Sequence, residues 1–191
     1  MKIIEVSPLA IPDVHVVRFA RFADERGYFT ETFRRSVVES HEGAAFLRGL
    51  DFVQMNESVS RPDVVRGLHF QWNPYMGKLV RTISGRMVDL VLDIRLGSPT
   101  FGKLLAHDMP AHASSDSTEW IWVPPGFAHG FLVLSEEAEV IYKTSDYYAP
   151  QEERTLLWSD PVLGIRWPLQ GEPILAERDR HGAPLERAEL P

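Results

Sequence analysis

The chain has 191 residues, 44% hydrophobic and 25% charged, with a formal net charge of −7. That balance fits one globular unit with a sizeable core and argues against a general nucleic-acid binder or a basic membrane patch. It contains no cysteine, which excludes disulfides, thiolate metal sites and a cysteine nucleophile.

Met1 to Ala10 carries one lysine and no long apolar core. No signal peptide and no membrane span are expected, and a cytoplasmic protein is the plain expectation. Val14 to Phe19 is rich in β-branched residues and predicts a strand. Tyr28 to Phe33 alternates and predicts another. Arg34 to Gly49, with Val37, Val38, Ala45 and Phe46 on an imperfect apolar face, predicts the main helix. Residues 52–59 predict a strand with Gln54, Asn56 and Ser58 on one face and Val53, Met55 and Val59 on the other. Lys78 to Ser84 and Met87 to Arg95 predict two strands around Gly85-Arg86, which reads as a hairpin turn. In the second of these, Val88, Leu90, Leu92 and Ile94 alternate with Asp89, Asp93 and Arg95. Phe101 to Asp108 predicts a further strand and Pro110 to Thr118 a surface loop. Trp120 to Val123 and Phe131 to Leu134 flank the turn Pro124-Pro125-Gly126. Glu139 to Thr144 is strand-like. The chain is turn-rich from Asp146, with a further turn at Trp158-Ser159-Asp160-Pro161. Residues 170–191 read as a tail that crosses the surface.

Many short strands, Pro/Gly turns and few helices predict an all-β fold, a cupin-like jelly-roll β-sandwich or barrel with a few short helices. A single domain, residues 1–191, is expected.

The chemistry concentrates in Val65-Arg66-Gly67-Leu68-His69-Phe70-Gln71 and in Lys78 just after it. Polar groups in a buried strand are costly without partners. A phosphate-bearing ligand beside a proton-transfer site would account for them. In a regular strand Arg66 and His69, an odd number of positions apart, face opposite ways. Gly67 between them predicts a bulge that would turn both to one face. A metal-binding cupin would present two histidines two apart plus a glutamate. Position 71 is Gln71, and His107, His112 and His129 are scattered, so that ligand set is missing.

Several stretches, in this order, resemble the dTDP-4-dehydrorhamnose 3,5-epimerase family of cupins. They are Asp24-Glu25-Arg26-Gly27-Tyr28-Phe29-Thr30-Glu31-Thr32-Phe33, Phe52 to Asn56, Val65 to Gln71 and Gly77-Lys78-Leu79-Val80-Arg81. Val91 to Arg95, Ser98 to Gly102, Gly126 to Phe131, Tyr142-Lys143-Thr144, Trp167-Pro168-Leu169 and Ile174-Leu175 complete the series. The resemblance implies an isomerase that needs no cofactor and no metal. Its substrate would be a dTDP-linked 4-keto-6-deoxy sugar, inverted at C3 and C5 through enolates to give dTDP-4-dehydro-L-rhamnose. It also implies a homodimer with an N-terminal strand exchange, so that part of each nucleotide site comes from the partner.

By the same resemblance His69 is the base, Tyr142 the proton donor on the opposite face, Lys78 the cation near the enolate oxygen and Asp179 the carboxylate paired with the histidine. Arg66 matches a residue near the diphosphate or sugar. Arg26, Glu31, Gln54, Asn56, His129, Glu153 and Arg178 match positions lining the nucleotide-sugar site, and Tyr147 matches an aromatic stacked on the thymine. The residue types suit these tasks: imidazole titrates near neutrality, a cation steadies an enolate, a phenol is neutral at pH 7, and arginines grip phosphates. The loop Ala111 to Glu119 is about four residues longer than the family pattern, and Pro74 to Gly77 one residue shorter. Arg178 stands where a lysine is frequent. An enzyme inverting only C3 or only C5 would need almost the same residues. A non-catalytic binding module would have no use for a base and an acid together.

Overall fold

The computed structural model describes residues 1–191 as thirteen strands and two short α-helices. The strands are β1 (Ile3–Pro8), β2 (His15–Ala20), β3 (Phe22–Asp24), β4 (Gly27–Phe29), β5 (Gln54–Ser60), β6 (Val65–Gln71) and β7 (Lys78–Ser84). They continue with β8 (Arg86–Asp93), β9 (Leu104–Pro110), β10 (Ser117–Val123), β11 (Phe127–Val133), β12 (Ala138–Thr144) and β13 (Glu153–Thr155). The helices are α1 (Arg35–Ser40) and α2 (Glu177–Arg180).

Two antiparallel sheets carry the fold. One has six strands in the order β1-β2-β10-β7-β12-β5, and the other has five in the order β13-β6-β11-β8-β9. Val80, Val91, Ile121, Phe131 and Val140 are among the apolar residues packed between the sheets. The outer face of the six-stranded sheet is closed by residues 35–47, where Val38, Ala44 and Leu47 pack on Phe19, Leu79, Trp120 and Trp122. The outer face of the five-stranded sheet is closed by the C-terminal segment, with Leu156 and Leu185 on Leu68, Leu90, Leu92 and Ile94. Central strands are therefore buried on both faces, and all seven residues of β11 are buried. This is why their apolar runs are nearly continuous rather than alternating.

The all-β jelly-roll expectation holds, with differences in the details. The helix expected over Arg34 to Gly49 breaks at His41, whose backbone is extended (φ −82°, ψ 121°), and resumes as a 3₁₀ turn over Glu42–Leu47. An unbroken helix would set Val38 and Ala44 about 120° apart around its axis; the break lets both reach one core. Of the expected 28–33 strand only Tyr28 and Phe29 pair, with β3, because residues 30–34 cross toward α1. Gly85 does not close a hairpin: β7 and β8 belong to opposite sheets, as do β10 and β11 around Pro124-Pro125-Gly126. Both turns pass the chain from sheet to sheet. The strand expected at 101–108 begins at Leu104. The preceding turn is folded around buried Asp93, whose carboxylate accepts from Arg95 Nε (2.9 Å), Ser98 Oγ (2.6 Å) and Thr100 Oγ1 (2.5 Å).

β5 runs against the usual pattern. Its polar residues Gln54, Asn56 and Ser58 turn inward, while Met55 and Val59 are more than half exposed. The tail is stitched to the body by a parallel bridge from Ile174 to Val64 and another from Ala183 to Leu156.

Gly67 has φ +116°, and the pairing of β6 with β11 shifts there: His69 lies opposite His129, and Arg66 opposite Phe131. Three residues of β6 thus span two of β11, which places Arg66 and His69 on the same side. A Cβ at Gly67 would lie 2.6 Å from Gly130 Cα and 2.7 Å from the His129 carbonyl. Gly67→Ala should therefore destabilise by about 2 kcal/mol or more. Gly49→Ala, at φ +74° but with nothing within 4 Å, should cost about 1 kcal/mol. Chemical denaturation of both variants checks this, and equal losses would count against the close approach of β6 and β11.

Candidate active site

One cavity of about 380 Å³ opens between the sheets. β6 contributes Arg66, His69 and Gln71 from the five-stranded sheet. β5 contributes Gln54, Asn56 and Ser58, β7 contributes Lys78, and β12 contributes Tyr142 from the six-stranded sheet. Tyr148, Glu153 and Arg178 complete the rim. His69 and Tyr142 therefore line the same cavity from opposite sheets. Lys78 and Tyr142 sit on neighbouring strands, with Lys78 opposite Thr144 in the register, so the two side chains share the inward face.

His69 Nε2 donates to Asp179 Oδ1 at 2.5 Å. Asp179, on α2, is 1% exposed, and a carboxylate so buried needs this partner. The contact fixes the imidazole proton on Nε2 and leaves the Nδ1 lone pair free. Burial pulls the His69 pKa below its ordinary 6.5, outweighing the opposing effect of Asp179. Lys78 has no carboxylate in ion-pairing range, and burial lowers its pKa to about 8. Burial, then Glu153, holds the Tyr142 phenol above its ordinary value of 10.

The remaining cations are held differently. Arg66 donates from Nε to Ser60 Oγ at 3.0 Å and has no carboxylate partner. Arg178 Nη1 meets Glu153 Oε2 at 2.5 Å, and the Tyr148 hydroxyl donates to the same oxygen at 3.0 Å. An acidic chain thus gathers Arg66, Lys78 and Arg178 at one cavity, with charge left over for an anionic ligand.

His129 lines a smaller recess of about 80 Å³ beside Lys78 and Tyr142. Its Nε2 donates to Asp89 Oδ2 at 2.8 Å, and Asp89 is fully buried. Asp89 was legible in the sequence only as one polar position in an alternating strand. No three His, Asp or Glu side chains converge in the geometry of a metal site. Gln71, which stands where a metal cupin would carry histidine, is a clamp. Its amide donates to the Pro74 and Tyr147 carbonyls (3.0 and 3.1 Å), and its carbonyl accepts from Ala149 N (2.8 Å).

Of the residues singled out in the sequence, the structure gathers His69, Lys78, Tyr142, Asp179, Gln54, Asn56, Arg66, His129, Glu153 and Arg178 at the cavity, its recess or directly behind them. Tyr147 lies outside, 64% exposed. Its neighbour Tyr148 lines the cavity instead, its backbone N–H held by Gln54 Oε1 at 3.1 Å. Adjacent side chains on an extended segment point opposite ways, and the sequence offered two tyrosines with no local reason to choose. Arg26 and Glu31 also lie away from the cavity of their own chain. Arg26 pairs with Asp24 at the tip of the β3–β4 hairpin, and Glu31 pairs with Arg34 and the N-terminus. Ser58, whose buried hydroxyl has no hydrogen-bond partner, lines both the cavity and the recess. The polar face of β5 already carried that signal.

Comparison with known proteins gives the same direction. A family model described as dTDP-4-dehydrorhamnose 3,5-epimerase matches residues 8–187. A dTDP-4-dehydrorhamnose 3,5-epimerase from Pseudomonas aeruginosa is 45% identical over 174 residues, covering 91% of this chain and 92% of that one. One from Shigella flexneri is 46% identical over 173 residues, covering 90% and 91%. Among solved structures, a dTDP-6-deoxy-D-glucose-3,5-epimerase from Legionella pneumophila, in complex with dTDP-4-keto-L-rhamnose, superposes with a TM-score of 0.90. It is 36% identical, and the match covers 98% of this chain and 97% of that one. On this extent of matched sequence and superposed backbone, the chain belongs to the dTDP-4-dehydrorhamnose 3,5-epimerase family.

Proposed function

We propose that the protein inverts C3 and C5 of a dTDP-linked 4-keto-6-deoxyhexose, giving dTDP-4-dehydro-L-rhamnose. The observation that carries this reading is His69 and Tyr142 on opposite walls of one cavity, with Lys78 beside them. The protons on C3 and C5 are acidic because the C4 ketone can hold the resulting charge. His69 Nδ1 removes one of them, and Asp179 steadies the imidazolium that forms. The electron pair moves onto the C4 oxygen, where the Lys78 ammonium stabilises it. Tyr142 delivers its proton to the opposite face of the same carbon. The imidazolium and the phenolate then exchange protons with solvent before the second inversion. Two groups on two walls are required, since one group returning the proton it took would restore the starting sugar.

Substrate binding follows from the rim. Arg66 and Arg178 take the diphosphate, with Gln54, Asn56, His129 and Glu153 around the sugar and nucleotide, and Tyr148 rather than Tyr147 offers its face to the thymine. Arg26 and Glu31 serve the cavity of a second copy in a homodimer, reached through the N-terminal arm. That assignment is supported by their distance from the cavity in their own chain. Residues 1–191 act as one catalytic unit, without cofactor or metal, in the cytoplasm. No helix is long and apolar enough to cross a membrane.

NMR of dTDP-4-keto-6-deoxyglucose incubated in deuterated water should show deuterium at both C3 and C5. Label at one carbon alone would instead assign a mono-epimerase. His69→Ala should bind dTDP but lose exchange by about 10²–10⁴-fold; retained exchange would remove His69 as the base.

The pH profile follows from the shifts. His69, whose pKa burial lowers from its ordinary 6.5, is a free base throughout the neutral range, so the acid limb of kcat/KM should lie on the acid side of that ordinary value. Lys78, at about 8, loses its charge as pH rises, so the alkaline limb should fall near that value, below any contribution from Tyr142. Lys78→Arg keeps its charge and should move that limb upward while lowering kcat. An unmoved alkaline limb would assign it to another group.

A further inference from the structure

Ser58 holds a buried hydroxyl that meets no hydrogen-bond partner, and it lines both the main cavity and the small recess beside it. The other buried side-chain atoms without a partner, on Arg21, His41, Arg81, Thr82 and Asp89, belong to residues that line neither. The alternation of β5 places Ser58 there. Gln54, Asn56 and Ser58 turn inward opposite Thr144, Tyr142 and Val140 of β12, so Ser58 stands one inward step beyond the residue paired with Tyr142. A serine at that position leaves an unsatisfied hydroxyl, which an alanine would avoid.

The recess continues the cavity past the reacting groups. His69, Lys78 and Tyr142 all stand on its wall, and Val80, Phe131 and Val140 make up its apolar part. At about 80 Å³ it suits the substituents along one edge of a sugar rather than a nucleotide. In the proposed reaction the edge that faces His69, Lys78 and Tyr142 runs from C3 to C5. It projects a hydroxyl from C3, the ketone oxygen from C4 and a methyl group from C5. The ketone oxygen belongs to Lys78. The methyl group makes no hydrogen bond and suits Val80, Phe131 and Val140. The C2 hydroxyl sits beside the carbon that bears the diphosphate, on the side of the wider cavity. That leaves the C3 hydroxyl, which loses water on entering and needs a partner. Both histidines of the recess commit their Nε2–H to carboxylates, His69 to Asp179 and His129 to Asp89. Ser58 and Tyr142 are then the neutral donors on the wall, and the Tyr142 proton is the one the reaction transfers. A serine hydroxyl both donates and accepts, and it turns about a single torsion.

We propose that Ser58 is a further substrate-binding residue whose hydroxyl bonds the C3 hydroxyl of the sugar and makes the site selective for sugars that carry one. With the apolar wall beside it, this contact sets which edge of the sugar enters the recess. The inference rests on the epimerase reading and extends it to the choice of sugar.

The test titrates the full chain and its Ser58→Ala variant with three ligands by calorimetry: dTDP, dTDP-6-deoxyglucose and dTDP-3,6-dideoxyglucose. The two sugars differ only in the C3 hydroxyl, and neither has the C4 ketone, so neither reacts. The wild type should bind dTDP-6-deoxyglucose about fivefold or more tightly than its 3-deoxy counterpart. In Ser58→Ala that preference should fall below about twofold, while dTDP alone binds both proteins alike. The Tm of Ser58→Ala should equal or exceed that of the wild type, because the substitution removes an unpaired buried hydroxyl. Ser58→Cys, similar in size but a weak donor, should lose the same preference, and it serves if the alanine variant does not fold. The inference is overturned if the variants keep the wild-type preference or if the wild type has none to lose. It is also overturned if dTDP binding weakens as much as sugar binding, which would make Ser58 a support of the cavity wall. A wild type that binds neither sugar nucleotide would overturn the epimerase reading as well, an outcome distinct from an unchanged preference, which overturns the role of Ser58 alone.

Discussion

The contact on which the site depends joins His69 to Asp179, 110 residues apart in the chain. A carboxylate buried as Asp179 is cannot remain without a cationic or donating partner. The partner is a side chain on the inner face of β6, so α2 must lie against the end of the barrel where the cavity opens. The rest of the tail has a path consistent with that demand. Ile174 bridges to Val64, Ala183 bridges to Leu156, and the Leu185 amide donates to buried Asp160 at 2.7 Å. The same tail closes the outer face of the five-stranded sheet. Packing and electrostatics thus share one segment.

Covering both sheets on both faces has a consequence for where polar residues can stand. Between the sheets the space fills with Val, Ile, Leu, Met and Phe, except toward one end. There the inward positions of β5, β6, β7 and β12 are Gln54, Asn56, Ser58, His69, Lys78 and Tyr142. Regular strand geometry alone would not align Arg66 with His69. The extra residue at Gly67 does, and it is admitted only because Gly130 across the ladder also lacks a side chain. Two glycines therefore set which residues of β6 face the cavity.

The charge distribution separates local from global effects. The net charge is negative, yet the cavity collects cations, one of them in an ion pair with Glu153. Low-dielectric walls strengthen each of these charges relative to the open surface, which fits a site for a diphosphate-linked sugar.

Much of the fold was legible in the sequence because strand periodicity is a local property. Lys78 to Ser84 reads as a strand and is one, residue for residue. The polar face of β5 and the break at Gly67 were equally visible, since each follows from which way successive side chains point. So were His69, Lys78 and Tyr142 as candidates, through motifs that survive as short runs. Tertiary structure decided the rest. It sent β7 and β8 to opposite sheets, set Tyr148 at the cavity rim and Tyr147 outside it, put Asp89 behind His129, and carried Arg26 and Glu31 away from the cavity of their own chain. Periodicity tells which face a residue takes. Contacts between segments tens of residues apart decide what that face meets, and no short window of sequence contains both partners.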